Sequence, residues 1–96
     1  MLAVYSADRA WRTPLEAALR AHGLTVRSAS RPAELAKCLA DGVVRAIVTD
    51  ATPDAWRDVQ RVVTEQGCLR ASPGETMESI VHRAISVLAE RHASPS

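Results

Sequence analysis

The chain contains no phenylalanine, and its aromatic residues are Tyr5, Trp11 and Trp56 alone. Its core must therefore be built from Val, Leu, Ile and Ala. Cysteine is equally scarce: Cys38 and Cys68 stand far apart, outside any Cys-x-x-Cys spacing. That argues against a disulfide framework or a zinc site and for two reduced, partly buried thiols. Neither sign of charge is in excess, with 12 Lys and Arg against 11 Asp and Glu and a net charge of +1. There is no electrostatic case for nucleic acid or an anionic membrane as the main partner. No apolar run approaches membrane-spanning length, and Met1-Leu2-Ala3-Val4-Tyr5 turns polar too soon for a signal peptide, so a cytoplasmic location is expected. A Walker-type loop, a Gly-x-Gly-x-x-Gly turn and a Ser-His-Asp ordering are all missing. His22, His82 and His92 are dispersed and form no metal-ligand pattern.

What is present is an ordinary globular composition, 47% apolar over 96 residues, enough for one small domain over residues 1–92 followed by a short flexible tail, 93–96. The most apolar stretch is Val43 to Pro53, rich in β-branched residues and bounded by Gly42 and Thr52-Pro53. It reads as a buried central strand ending at Asp50.

Other segments fall around it. Leu2 to Ser6 reads as a strand. Thr13-Pro14-Leu15-Glu16 has the pattern of a capping box that opens a helix closed by Gly23. Leu24, Val26 and Ser28 alternate as a second strand. Ser30 is placed to cap a second helix carrying Leu35, Cys38 and Leu39. Thr52-Pro53 opens a third, with Val59, Val62 and Val63 inward and Gly67 at its end. Cys68 to Ala71 is a short fourth strand. Ser72-Pro73-Gly74-Glu75 is another capping box, and Met77, Ile80, Val81, Ala84, Ile85 and Leu88 form the stripe of a last helix. Four strand–helix units predict an α/β sandwich with a parallel sheet covered on both faces.

In this layout the chain resembles the receiver domain of bacterial two-component response regulators. Asp50, at the end of the central strand, takes the place of the family's phospho-accepting aspartate. Gly67-Cys68-Leu69-Arg70-Ala71-Ser72-Pro73 resembles the family's final strand and Lys-Pro turn. The resemblance implies a flavodoxin-like fold, shortened by one strand–helix unit, with sheet order 2-1-3-4. The first and last helices would share one face and the middle two the other. It also implies a role in signalling or transcriptional control. The sequence departs from the family where the chemistry lies. Tyr5, Ser6 and Ala7 stand where an acidic pair would hold Mg²⁺, with Asp8 the one acid nearby, and Ser72 replaces the Lys before the proline. Aspartyl phosphorylation needs both the nucleophile and a cation on the transferring group.

Three functional readings follow. The first is a non-catalytic receiver-like module, without cofactor, acting through protein–protein contact. The second is a Mg²⁺-dependent receiver phosphorylated on Asp50, with Asp8 and Asp50 as metal candidates. The third is a small-ligand or nucleotide sensor at the carboxyl edge of the sheet. Asp50 also has a plainer role open to it, as an N-cap or strand-end polar group; Asp54 can serve the positive end of the third helix, with Asp8 solvated. Under the first reading, loss of a strand–helix unit leaves an apolar flank and an open edge. A homodimer or hetero-complex is expected there, with Trp11, Trp56, Val59, Val63 and Leu69 as contact candidates.

Overall fold

The computed structural model describes residues 1–93, and the side chains of residues 1–89. Eight elements alternate along the chain: β1 (Leu2–Tyr5), α1 (Arg9–Ala21), β2 (Val26–Ala29), α2 (Pro32–Leu39), β3 (Ala46–Thr49), α3 (Pro53–Val62), β4 (Gly67–Arg70) and α4 (Met77–Ala93). The strands form one parallel sheet in the order β2-β1-β3-β4, the order that the receiver resemblance implies. β1 and β3 lie in the middle, in register from Leu2 beside Ala46 to Tyr5 beside Thr49. Both are buried along their whole length.

Alternation along these strands divides the core in two. Leu2, Val4, Ala46 and Val48 pack with Leu15 and Leu19 of α1 and with Ile80, Val81 and Ala84 of α4. Ala3, Tyr5 and Ile47 face the other way, onto Leu35 of α2 and Ala55 and Val59 of α3. The helices share faces as the resemblance implies, α1 with α4 on one side and α2 with α3 on the other.

Several boundaries differ from the sequence reading. Helix α1 begins at Arg9, not Thr13, because Asp8 is its N-cap, accepting from the Ala10 N–H at 3.0 Å. Pro14 thus sits inside the helix and leaves the Ala10 carbonyl without its usual donor. Glu16 closes no capping box. It is buried and reaches across to β2, where the Ser28 hydroxyl donates to it, with Arg12 at 3.4 Å and Arg20 at 4.0 Å. Gly23 ends α1 as expected: its φ of 81° lets Leu24 N–H return to the Leu19 carbonyl at 3.2 Å. Ser30 is not the cap of α2; Arg31 holds that position without a side-chain bond, and Glu34 reaches back to the Ser30 N–H and hydroxyl. The central strand is shorter than the apolar run, with Val43 45% exposed ahead of it. Thr52 caps α3 as expected. Helix α3 stops at Val62, and Gly67 opens β4 instead of closing the helix. Glu75 binds the Ser72 N–H, but the helical cap is Thr76, which accepts from Ser79 N–H. Helix α4 takes in Ala93, and residues 94–96 of the expected tail lie outside the described residues.

Candidate functional site

Parallel strands bring their carboxyl ends to one edge of the sheet, and the loops that follow β1, β3 and β4 meet there. Between them is a cleft of ≈ 330 Å³ lined by Asp8, Trp11, Asp50, Thr52 and the turn from Ala71 to Glu75. Among the described residues the lining includes three carboxylates and no Lys or Arg.

Asp50 follows the last residue of β3 and is 9% exposed. Oδ2 accepts from the Ser6 hydroxyl at 2.5 Å. Oδ1 accepts from the Thr52 N–H at 3.0 Å and from the Thr52 hydroxyl at 2.5 Å. Ser6 is fully buried, and its oxygen in turn accepts from the Asp8 N–H at 3.0 Å. A line of hydrogen bonds thus runs from the start of α1 through Ser6 and Asp50 to the cap of α3. Arg12 adds to it by donating to the Ser6 carbonyl at 2.7 Å. Ser6 and Thr52 as joint partners of Asp50 are what sequence reasoning missed. The available signal was a hydroxyl at the strand end where the family pattern has an acid.

Glu75 closes the far wall. It accepts from Ser72 N–H at 2.8 Å, from the Ser79 hydroxyl at 2.7 Å and from Arg83 at 2.5 Å. These contacts, the Ser72 N–H first, hold its carboxyl below the ordinary glutamate range.

The acidic residues do not suit Mg²⁺, which demands near-octahedral oxygen ligands. Asp8 is turned to its own helix, both oxygens of Asp50 are engaged, and Glu75 is held by three donors. Among the described residues no three His, Cys, Asp or Glu side chains gather so as to hold a metal ion. His22 and His82 do share a shallow groove with Glu78 and Ile85, on the side of the molecule where α1 ends.

The two tryptophans part company. Trp11 lines the cleft and packs on the α1/α4 core. Trp56 lies by the end of β4, where the Arg70 guanidinium stands 5.9 Å from its ring centroid and donates to the Ala51 carbonyl at 3.0 Å. Both are partly exposed. Of the other contact candidates, Val59 is fully buried and Leu69 is 4% exposed, because the inward stripe of α3 and the α4-facing side of β4 are core. Val63 is half-buried against the α2/α3 cluster. Asp54 sits in the first turn of α3, where its charge suits the helix dipole. Tyr5 donates to Asp58 at 2.8 Å. Burial, then that bond, raises the phenol well above the ordinary tyrosine value.

No family model, curated protein or solved structure matches the chain. The fold itself is plain: a small flavodoxin-like α/β sandwich. No helix among the described residues is long and apolar enough to cross a membrane.

Proposed function

We propose that this chain is a non-catalytic, receiver-like regulatory module that works by protein–protein contact, in signalling or transcriptional control, and needs no cofactor. The observation that carries the reading is the state of Asp50. Its two carboxylate oxygens already accept three hydrogen bonds from Ser6 and Thr52. A nucleophile must turn a lone pair to an incoming phosphoryl group, and the surrounding wall must offset the charge that group brings. Here the wall is acidic. Asp50 acts instead as a tie between two loops.

The partner surface lies at the edge of the sheet formed by β4 and the neighbouring Trp56, and the partner is a second copy or another protein. The test of non-catalytic character is incubation with Mg²⁺ and acetyl phosphate, read by intact mass. The expected result is an unmodified chain. A labile phosphate mapped to Asp50 overturns the reading in favour of the phospho-accepting receiver.

A further inference from the structure

We propose that the cleft at the carboxyl edge of the sheet receives an arginine side chain from a partner protein, its guanidinium set against Trp11 and paired with Asp50. The inference rests on the contact-module reading and names the chemistry of the partner.

The three acids of the cleft differ in what answers their charge. Asp8 caps α1 and faces the positive end of that helix. Glu75 is paired with Arg83. Asp50 is 9% exposed and has neutral donors only, from Ser6 and Thr52. Among the described residues no Lys, Arg or His forms an ion pair with it. Arg12 is committed to the Ser6 carbonyl and to Glu16, and the cap of α3 is Thr52. Buried charges in proteins are ordinarily paired. Folding has already taken Asp50 out of water, so a cation that reaches it meets a charge stripped of its solvation. A carboxylate offers about four acceptor positions. Three are filled, two on Oδ1 and one on Oδ2. The position left on Oδ2 suits one N–H of a guanidinium and falls short of the oxygen shell that Mg²⁺ demands.

The rest of the lining fits the same group. Trp11, Ala51, Ala71 and Pro73 give the cleft apolar walls. A guanidinium is flat, weakly hydrated and attracted to an indole, so it suits such walls better than an ammonium does. The chain already uses this pairing next door, where Arg70 stands 5.9 Å from the Trp56 ring centroid. Arg70 also donates to the carbonyl of Ala51, which lines the cleft, so the cleft adjoins the end of β4 and Trp56. A volume of ≈ 330 Å³ lies at the small end for ligand sites and has room for one side chain.

The experiment is a nitrogen–proton correlation titration of the full chain with arginine acetylated and amidated at its ends. The neutral isostere, citrulline blocked in the same way, is the control. Blocked arginine should shift the Trp11 indole N–H and the amides of Thr52, Ser72 and Gly74, saturating with a Kd of about a millimolar, as suits so small a ligand. Citrulline should leave them in place. Asp50→Asn should weaken the arginine by about tenfold, the size of one charge-assisted hydrogen bond. If that variant is unfolded, the citrulline comparison decides on the wild type alone. A blocked peptide with arginine at its centre and alanines on either side should bind at least as tightly as blocked arginine. Weaker binding of the peptide marks a site for a free small molecule and overturns the partner assignment. Equal shifts with citrulline, shifts centred away from the cleft, binding indifferent to Asp50→Asn, or no shift at about ten times the expected Kd overturn the proposal outright. None of these results alters the phosphodonor test of Asp50, so the two readings fail separately.

Discussion

The Ser6 hydroxyl donates to the Asp50 carboxylate at 2.5 Å, joining residues 44 apart in sequence. Both groups are buried, and each stands just past the end of a central strand. This contact sets where α1 and α3 begin relative to each other, and with them the walls of the cleft. A charge-assisted bond of this kind in a partly dry site contributes more than one between neutral groups.

The core makes a plain prediction. Ile47 is 0% exposed and Ile80 is 1% exposed, on opposite faces of the sheet. Ile47→Ala and Ile80→Ala should each cost about 2–5 kcal/mol in urea unfolding, a large share of the stability of so small a domain. Ile85→Ala, at a position 39% exposed, should change it by less than about 0.5 kcal/mol.

Glu16 is predicted to matter as one half of a largely buried pair. Its side chain is 10% exposed and that of Arg12 is 15% exposed. Glu16→Ala leaves the largely buried Arg12 cation without its carboxylate. The loss should fall at the low end of about 3–5 kcal/mol. Glu16→Ala measured in an Arg12→Ala background should be milder, which chemical denaturation of the four chains will show.

Tyr5 is the single tyrosine, so its ionisation can be followed by ultraviolet absorbance without interference from another phenol. Its folded value is raised, by burial first and then by Asp58. Raising favours the neutral form, so the stabilisation is complete below the unfolded value near 10.0 and is lost as pH climbs above it. The titration midpoint should therefore lie above 10.0, and Asp58→Asn should bring it down.

Glu75 gives the acid limb. Its folded value is lowered, by the Ser72 N–H first and also by Ser79 and Arg83. A lowered carboxyl stabilises above its unfolded value, and that contribution disappears as pH falls through the folded one. Thermal melts should hold near neutrality and decline below the ordinary glutamate range. Glu75→Gln should flatten that decline.

The four strand–helix units and the inward faces of the helices were legible because they depend on apolar period; the order of the sheet and the sharing of faces came only with the receiver resemblance. Leu15 and Leu19, or Ile80, Val81 and Ala84, mark one helix face whatever surrounds them. The start of α1 was not legible. Thr13-Pro14-Leu15-Glu16 is the stronger local pattern, but Glu16 is drawn away to Ser28 and Arg12, partners distant or unmarked in sequence. Asp8 takes the cap instead, helped by the Ser6 contact with its own N–H. The site was half legible. Asp50 stands out at the end of the most apolar run, whereas Ser6 gains its meaning only when β1 is laid beside β3. Val59 and Leu69 were misplaced at a surface for a related reason: the short sheet is still covered on both faces by four helices, so their apolar stripes stay inside.

The most direct measurement of the central claim, that Asp50 ties two loops together, is a double-mutant cycle on Ser6→Ala and Asp50→Ala by urea unfolding. The account predicts a coupling between them of about 0.5–3 kcal/mol, the range for residues in contact, with the double variant less destabilised than the two single losses combined. Strictly additive losses would contradict it.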